Sequence, residues 1–453
     1  MIPLHLHEII NAVKGEIRNY KPLLIDHIST DSRTITKDGL FIALKGDRFD
    51  GHNFLTQAIK QGAAAVLVSR IPEDIKDAEI PVVKVKDTLL ALGDIAGCYR
   101  RRLTVPVIAV GGSNGKTTTK DMIAHILSKK AIAAKSYKSF NNFIGLPLTI
   151  FSADRKTDYL VAEVGTNKPG EIKYLSKILK PDIAVITNIS ATHLDGLKNP
   201  EGVFKEESQL FRTLKSGAIA VFDPSNKDLK RLAEYAEYKS VTFGIDSDAD
   251  VTARDVKTSQ DGIGFTIFKG ESHYECFIPV LGSWNIKNAL AAFAVAQLLG
   301  LRPEDICRAL KDFKLPEMRM DRRLKGGVTF INDAYNANPV SVGLAIDELS
   351  AMETAGRKIL VFGEMRELGR YSRRFHEEAA GVIASSRIDL LIIVGKDTRY
   401  TANKLSRIGS WDKRMLYYET VYEAISSLKK ILKPGDTVLL KGSRANALEK
   451  III

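Results

Sequence analysis

The stretch that decides the fold is Val107-Ile-Ala-Val-Gly-Gly-Ser-Asn-Gly-Lys-Thr-Thr-Thr119. Its four apolar residues, 107–110, predict a buried strand, and the apolar spacing after Thr117 predicts a helix. The glycines between them let the backbone turn tightly and approach a ligand closely. A strand, a glycine loop and a helix N-terminus form a phosphate cradle, because backbone N–H groups and the helix dipole both favour an anion.

Two residues of the loop are expected to act on the phosphates. Lys116 would reach the terminal phosphates, and the Thr117 hydroxyl would ligate Mg²⁺. The loop is shorter than the usual G-x-x-x-x-G-K-[ST] motif, because Val110 stands at the first glycine position. An ordinary βα turn carrying Lys and Thr is the alternative; the predicted strand before the loop and helix after it favour the phosphate site.

The chain of 453 residues is too long for one core, so several domains are expected. The order of predicted strands and helices indicates an α/β fold in three domains. Residues 1–102 form a small α/β module, 103–315 a P-loop ATPase-type parallel sheet, and 316–453 a second parallel sheet of Rossmann type. Residues 251–279 alternate apolar and polar around a hairpin signal, which predicts an antiparallel patch in the central domain.

The amino-acid composition limits the classes of binding partner and the cellular compartment that are expected for this protein. The net charge of +12 suits nucleic acid or anionic small molecules, but the basic residues are scattered without interleaved aromatics. Phosphorylated small molecules are therefore favoured, and no nucleic acid is expected. The three cysteines lack metal-like spacing and are expected to be thiols in a reducing compartment. No leader pattern and no bilayer-length apolar run occurs, so a cytoplasmic protein without membrane contact is expected.

Two polar side chains follow predicted strands near the glycine loop. Glu163 ends the strand 159–163, and His193 follows the strand 183–188. Ligands of open parallel sheets bind beyond the carboxyl ends of the strands, so Lys116, Glu163 and His193 are expected at one edge. Glu163 would ligate Mg²⁺, which prefers oxygen, and His193 indicates a second metal position or a phosphate contact. A kinase, an ATPase switch and an ATP-dependent ligase all stay open.

Two polar clusters mark the N-terminal module: Thr30-Asp-Ser-Arg33 and Lys45-Gly-Asp-Arg-Phe-Asp-Gly-His52. Each follows a strand-like run. Together they bring two arginines, a lysine and hydroxyls onto loops, which suits a diphosphate-bearing ligand. For either cluster alone, a solvated turn is the simpler interpretation.

The motifs taken together resemble the Mur ligases, which build the peptide of bacterial cell-wall precursors. In the central region they are Gly112-Ser-Asn-Gly-Lys-Thr-Thr118, Asn141-Asn-Phe-Ile-Gly145, Glu163 and His193. The N-terminal clusters resemble the UDP-sugar-binding module of the family. In the C-terminal region the stretches 333–339, 363–369 and 441–444 resemble the branch that adds a dipeptide. The resemblance covers nearly the whole chain.

This resemblance implies an ATP- and Mg²⁺-dependent ligase of peptidoglycan precursor synthesis. It would join D-alanyl-D-alanine to UDP-N-acetylmuramoyl-tripeptide through an acyl phosphate, with the dipeptide amine attacking the acyl carbon. The C-terminal domain would close over ATP, and a monomer is expected. The alternatives are a related amino-acid-adding ligase and, from another class, an ATP-hydrolysing switch or binding protein.

The resemblance also implies residue roles. The catalytic residues would be Lys116, Glu163 and His193. ATP would be bound by Gly112, Ser113, Asn114, Gly115, Lys116, Thr117, Thr118, Asn285, Asn288, Arg319 and Asp333. The metals would be held by Thr117, Glu163 and His193. Substrate would be bound by Ser32, Arg33, Lys45, Asn141, Asn142 and His376. His376 would contact the dipeptide, or else be a surface histidine.

One position departs from the family pattern. Most Mur ligases carry a carbamylated lysine that orients the metals, and the stretch 202–211 has Glu207 at that place. Glu207 is hypothesised to supply the carboxylate directly, as a further metal-site residue. Two alternatives stay open: a register shift that makes Lys205 the modified residue, and a charged helix face without a role.

Overall fold

A computed structural model describes residues 1–46 and 49–452. Asp47 and Arg48, which belong to the second N-terminal polar cluster, lie outside the described residues, as does Ile453. The fold is α/β in three domains, as predicted, and the glycine loop lies in the central one.

The N-terminal domain is a sheet with helices packed against it. Its elements are β1 (Leu4–His5), α1 (Leu6–Val13), β2 (Glu16–Arg18), β3 (Leu24–Ile25), β4 (His27–Ser29), β5 (Gly39–Ile42), a 3₁₀ turn (Gly51–Phe54), α2 (Leu55–Lys60), β6 (Ala65–Val68), a 3₁₀ turn (Glu73–Ile75), β7 (Val82–Lys84) and α3 (Thr88–Arg100). The main sheet has the order β2-β7-β6-β5-β4 and is parallel from β4 to β7. β5 and β6 are buried along their whole length, as expected for parallel strands covered on both faces.

The central domain is one continuous sheet. Its elements are β8 (Val107–Gly111), α4 (Lys116–Leu127), β9 (Ala133–Lys135), α5 (Gly145–Ser152), β10 (Tyr159–Glu163), α6 (Glu171–Leu179), β11 (Ile183–Ile186), α7 (Leu194–Leu197), α8 (Pro200–Glu207), α9 (Gln209–Arg212), β12 (Ile219–Phe222), α10 (Lys227–Glu234), β13 (Lys239–Ile245), β14 (Val251–Ser259), β15 (Gly262–Lys269), β16 (Ser272–Ile278), α11 (Asn285–Leu298) and α12 (Pro303–Leu310). The strand order is β16-β15-β14-β13-β12-β11-β8-β10-β9. β8 therefore lies between β10, which ends at Glu163, and β11, which precedes the segment that leads to His193.

The antiparallel patch predicted for this domain is present as β14, β15 and β16. It does not stand apart from the parallel sheet, because β14 pairs in parallel with β13. The patch therefore extends the sheet that carries the glycine loop.

The C-terminal domain is built on a second sheet. Its elements are β17 (Asp321–Lys325), β18 (Val328–Asp333), α13 (Pro339–Ala351), β19 (Lys358–Gly363), a 3₁₀ turn (Gly369–Tyr371), α14 (Ser372–Ser385), β20 (Leu390–Val394), α15 (Arg399–Ser406), β21 (Met415–Tyr418), α16 (Val421–Ile431), β22 (Thr437–Lys441) and 3₁₀ turns (Arg444–Asn446, Leu448–Ile451). The order is β17-β18-β22-β19-β20-β21. The prediction of a purely parallel sheet is wrong at one edge, because β17 folds back antiparallel onto β18 across Gly326-Gly327.

The N-terminal and central domains share a hydrophobic core. It runs without a break from the N-terminal helices to the strands of the central sheet. Arg100 lies at this junction, 8% exposed, and its guanidinium donates to the carbonyls of Leu103 and Leu179 at 2.8 Å and of Lys180 at 3.2 Å. The C-terminal domain has one core of its own, and its second core also includes Leu194, Leu197, Val203 and Leu281 of the central domain. The first two domains thus form one unit, to which the third is joined by a smaller contact.

Cys276 of β16 and Cys307 of α12 form a disulfide, with Cα atoms 5.1 Å apart. The expectation that these cysteines remain thiols is wrong, since β16 packs on α12 and sequence spacing does not reveal that contact. Cys98 is a free thiol. Within the described residues, no helix is both long enough and apolar enough to cross a membrane.

Candidate active site

The glycine loop between β8 and α4 is fixed by the segment that follows β11. Gly112 has a φ of 112°, and a Cβ there would lie 2.5 Å from Thr187 Oγ1, so only glycine fits. The Ser113 N–H donates to the Asn188 carbonyl at 2.8 Å, and the Asn114 N–H donates to Asn188 Oδ1 at 3.1 Å. These bonds hold the loop in shape before any ligand binds.

Helix α4 begins with backbone N–H groups turned to the loop. Its N-cap, Gly115, has a φ of 82°, and no described side chain caps its first turn. The first amides of α4 are thus available to an anion. Lys116 Nζ donates to the carbonyls of Gly112 and Ser113, so its charge folds back over the loop.

The loop faces a cavity of about 790 Å³ between the central and C-terminal domains. The predicted nucleotide-site residues that line it are Ser113, Asn114, Gly115, Lys116, Thr117, Thr118, Asn285, Asn288, Arg319 and Asp333. Gly112 lies beneath them at the base of the loop. Glu163, His193 and Asn141 line the same cavity. The structure thus brings together residues that are far apart in the sequence.

Glu163 has the environment of a cation ligand. It is 1% exposed, and its Oε1 accepts a hydrogen bond from Asn141 Nδ2 at 2.8 Å. Its Oε2 is buried and has no partner among the described residues. A buried carboxylate oxygen without a partner is unfavourable, and a bound cation would relieve it.

The donor set around this oxygen fits Mg²⁺. In the described part of the chain, no group of three or more His, Cys, Asp or Glu side chains is placed to hold a metal alone. Mg²⁺ needs few protein ligands, because water and substrate phosphates complete its shell. Glu163 and the Thr117 hydroxyl can supply the protein's share.

His193 stands at the start of α7, facing the C-terminal domain. Its backbone is left-handed, with a φ of 52°, and its Nδ1 lies 2.6 Å from Glu367 Oε2. The adjacent His193 ring lowers the pKa of Glu367 by more than burial raises it. A carboxylate from another domain thus lies against the imidazole as a close ion-pair contact, although the contact does not have hydrogen-bond geometry in this structure.

Glu207 lies beneath the loop. It is 1% exposed, and its Oε2 accepts a hydrogen bond from the Gly112 N–H at 2.9 Å. Burial raises the pKa of Glu207, against the opposing attraction of Lys116. Lys205, the alternative, is exposed on the same helix. The geometry favours Glu207, although its side chain supports the loop from below and does not line the cavity.

Residues of the C-terminal domain reach into the site. Arg319 Nη2 donates to Thr117 Oγ1 at 2.9 Å, and the Arg319 guanidinium lies 4.4 Å from the centre of the Tyr335 ring. Asn338 Nδ2 donates to Asn114 Oδ1 at 2.6 Å. The C-terminal domain is therefore closed onto the loop in this structure.

Asn285 and Asn288 join helices α11 and α4. Asn288 Nδ2 donates to Asn285 Oδ1 at 2.8 Å, and Asn288 Oδ1 accepts from Thr119 Oγ1 at 3.1 Å. Asn285 Nδ2 donates to the Leu281 carbonyl at 2.7 Å. These amides fix a wall of the cavity in which the nucleotide is expected.

A second, smaller cavity of about 260 Å³ lies on the other side of Lys116. It is lined by Leu89 from the N-terminal domain and by residues after β10 and before α5, including Asn141 and Asn142. Lys116, Asn141 and His193 line both cavities. A ligand held between the first two domains would meet the nucleotide at these side chains.

The predicted contacts of the N-terminal domain are not brought to either cavity. The Ser32 hydroxyl donates to Gln57 Oε1 at 3.0 Å. Arg33 forms a two-pronged pair with Asp31, and this pair lowers the pKa of Asp31 to about 2. Lys45 is exposed. Their role at a sugar nucleotide stays a prediction.

His376 does not fit either expectation, because it is neither at the site nor on the surface. It is fully buried, its Nε2 accepts from the Met365 N–H at 3.2 Å, and its Nδ1 lies 2.8 Å from the Ser372 carbonyl. Burial lowers the pKa of this imidazole. The ring therefore supports the chain segment around Met365 and does not contact a dipeptide directly.

A buried lysine supports the site and was missed by sequence reasoning. Lys120 follows Lys116 by one turn of α4, and its Nζ donates to the carbonyls of Ser136 and Lys138 at 2.8 and 2.7 Å. Burial lowers its pKa. It fixes the segment that leads to Asn141. The sequence signal for it was the spacing of four on a helix that starts at a phosphate loop.

Family sequence models match most of the chain. The model described as "Mur ligase family, catalytic domain" matches residues 24–100, "Mur ligase middle domain" matches 110–296, and "Mur ligase, glutamate ligase domain" matches 318–444.

Full-length relatives are similar in sequence. The UDP-N-acetylmuramoyl-tripeptide--D-alanyl-D-alanine ligase of Bacillus subtilis (strain 168) is 37% identical, with 100% of this chain and 98% of the relative covered. The enzyme of the same name from Escherichia coli (strain K12) is 33% identical, with the same coverage of 100% and 98%.

Solved structures share the whole architecture. MurF from Acinetobacter baumannii matches with a TM-score of 0.90 and 29% identity, covering 99% of this chain and 98% of that one. MurF ligase from Thermotoga maritima, solved in complex with ADP, matches with a TM-score of 0.83 and 26% identity, covering 94% and 96%.

Proposed function

The chain belongs to the Mur ligase family, and from this we propose that it is an ATP-dependent ligase joining D-alanyl-D-alanine to UDP-N-acetylmuramoyl-tripeptide. The relatives that match it over full length carry that name. The product is a precursor of peptidoglycan, and the reaction forms an amide bond at the expense of ATP.

One observation carries the proposal: two cavities meet at Lys116. The larger holds the predicted nucleotide residues, and the smaller opens between the N-terminal and central domains. A carboxylate entering from the smaller cavity would reach the γ-phosphate held over the loop in the larger one. A second opening beside the phosphate loop is expected of a ligase, which must bring a second substrate to the γ-phosphate.

In the first step a substrate carboxylate oxygen would attack the γ-phosphorus of ATP, the bond between that phosphorus and the β–γ bridging oxygen would break, and ADP would leave. This step brings two anions together, so charge must be neutralised. The amides of the glycine loop and Lys116 bind the transferring phosphoryl group. Thr117 and Glu163 are the residues that would hold Mg²⁺, which would supply further positive charge at the phosphate oxygens. Glu207 holds the loop through Gly112, and Asn141 orients Glu163.

In the second step the dipeptide amine would attack the acyl carbon, the carbon–oxygen bond to the phosphate would break, and inorganic phosphate would leave while the amine loses a proton. This step depends on positioning and on exclusion of water. Arg319 and Asn338 close the C-terminal domain onto the loop through Thr117 and Asn114. Closure would keep water from the acyl phosphate until the amine attacks. The reaction is proposed to run in the cytoplasm, where ATP is supplied, with the enzyme as a monomer.

The test is a ligation assay with the purified chain, ATP and Mg²⁺. UDP-N-acetylmuramoyl-tripeptides ending in lysine or diaminopimelate are each offered with D-alanyl-D-alanine or D-alanyl-D-lactate. We expect amide product by mass spectrometry and phosphate release that requires both substrates. Phosphate release that ignores both substrates, without amide product, would overturn the ligase in favour of an ATP-hydrolysing switch.

A further inference from the structure

The segment that follows β19, residues 363–369, crosses from the C-terminal domain to the turn at His193. Its Glu367 carbonyl accepts a hydrogen bond from the Asp195 N–H at 3.0 Å. Its Glu367 Oε2 lies 2.6 Å from His193 Nδ1. Gly369, with a φ of 53°, fits against Asp195, whose Oδ1 would lie 3.0 Å from a Cβ at that position.

The two sides of this contact hold each other in unusual conformations. His193 has a φ of 52° and Glu367 a φ of 64°, and neither is glycine. Glutamate seldom adopts this left-handed region unless its surroundings impose it, whereas histidine adopts it more readily. The contact between residues 363–369 and the turn at His193 therefore defines where the side chains of His193 and Glu367 point.

The segment is anchored firmly within its own domain. The Met365 N–H donates to the buried His376 ring at 3.2 Å, and the Arg366 N–H donates to Ser443 Oγ at 2.9 Å. Leu368 is buried in the domain core. Glu367 therefore moves with the C-terminal domain and reaches His193 when that domain is closed.

The two ring nitrogens of His193 therefore have different surroundings. Nδ1 lies 2.6 Å from the carboxylate of Glu367, within ion-pair distance but without hydrogen-bond geometry in this structure, which leaves Nε2 as the nitrogen available to a ligand. The side chain lines both the nucleotide cavity and the smaller one. A carboxylate on one ring nitrogen fixes the tautomer and the orientation with which the other nitrogen binds.

We propose that Glu367 is a positioning residue that orients His193 on closure of the C-terminal domain, so that the metal–nucleotide site is completed only in the closed enzyme. The inference rests on the proposed function and on the expectation from the sequence that His193 binds a metal ion or a phosphate. According to this proposal, the position of the segment 363–369 determines how His193 is oriented beside the phosphate loop.

The experiment measures binding of Mn²⁺ in the presence of ADP by electron paramagnetic resonance. Glu367→Ala is compared with Glu378→Gln, a matched control on α14 whose carboxylate pairs with Arg374 on the surface. We expect Glu367→Ala to weaken Mn²⁺ binding about 10- to 100-fold. We expect the control to match the wild-type chain and affinity for metal-free ADP to change less than about twofold in either variant.

Glu367→Gln keeps an acceptor for the His193 ring. Its Mn²⁺ affinity should lie between the affinities of Glu367→Ala and the Glu378→Gln control. It also decides the question if the alanine variant does not fold, which circular dichroism would detect. For turnover, we expect the change in kcat to exceed the change in KM for the tripeptide substrate. Mn²⁺ affinity that is equal in Glu367→Ala, Glu367→Gln and the control would overturn the proposal.

His193→Ala separates this inference from its premise. If His193→Ala binds Mn²⁺ as the wild type does, the proposed role of His193 fails and the positioning role falls with it. If His193→Ala weakens binding and Glu367→Ala does not, only the positioning role fails. In the double variant, removal of Glu367 should have no effect beyond that of His193→Ala, because the carboxylate acts through the ring.

Discussion

Replacing Glu207 by glutamine removes a buried charge beneath the phosphate loop and keeps the size of the side chain. The amide oxygen can still accept the hydrogen bond that the Gly112 N–H donates over 2.9 Å. The loop should therefore keep its shape. What changes is the negative charge next to Lys116 and, in the proposed enzyme, next to the metal.

The expected loss of kcat/KM in Glu207→Gln has two parts. Hydrogen bonds to charged groups contribute about 1.5–3 kcal/mol and neutral ones about 0.5–1.5, so the loop loses about 1 kcal/mol, or about fivefold in rate. The role hypothesised for Glu207 at the metal site adds a further loss of about 10- to 100-fold. We expect kcat/KM of Glu207→Gln to fall by about two orders of magnitude.

The substitution should lower activity but should not lower the free energy of unfolding. Burial raises the pKa of Glu207, so the folded state binds a proton more tightly than the unfolded state does. Its ionised form therefore destabilises the fold increasingly as pH rises from the unfolded-state value through the folded one. Without nucleotide and metal, Glu207→Gln should be at least as stable as the wild type at pH 8, and this advantage should shrink at acid pH.

The assay is ligation with both substrates, with thermal unfolding measured in parallel. Lys205→Ala is the matched control on the exposed part of the same helix, and it should retain kcat/KM within about twofold. Full activity in Glu207→Gln together with lost activity in Lys205→Ala would reverse the assignment and make Lys205 the modified residue.

Three further predictions follow from contacts described above. Lys116→Met should lower kcat about 10³-fold with nucleotide still bound, because its charge acts chiefly on the transferring phosphoryl group; single-turnover phosphate release measures this, and a change confined to KM would contradict it. Arg100→Leu leaves three backbone carbonyls without their donor and should cost about 3–6 kcal/mol; calorimetry checks this, and an unchanged unfolding midpoint would refute it. Asn338→Asp keeps the oxygen that caps α13 but removes the donor to Asn114, so KM for ATP should rise about 5- to 10-fold without loss of thermal stability; steady-state kinetics and a melting curve test both halves, and an unchanged KM counts against closure through this bond.

Local patterns were sufficient to predict the strand, glycine loop and helix at residues 107–127. Four apolar residues, a run of glycines and an amphipathic helix are each contiguous in sequence, so the strand, loop and helix could be placed directly. The convergence of Lys116, Glu163 and His193 needed one further rule, that parallel strands end at a common edge. That rule depends on topology alone and therefore holds before any side chain is positioned.

The remaining features depend on contacts between distant segments. Arg319 reaches Thr117 across 202 positions, and Asn338 reaches Asn114 across 224, so both follow from how the domains dock. β17 is a largely exposed strand without apolar alternation, and its signal was the turn at Gly326-Gly327. His376 was misplaced because the same histidine pattern serves a ligand contact or a buried support, and only its packing distinguishes them.

The continuous core across the first two domains has a consequence for how this chain can be divided or recombined. A cut near residue 102 would expose apolar surface on both fragments and remove the acceptors of Arg100, so neither half should remain soluble alone. A cut near residue 316 leaves the C-terminal cores almost whole. In a gene fusion or chimera, the first two domains should therefore be kept together as one unit. The C-terminal domain is the part that can be replaced.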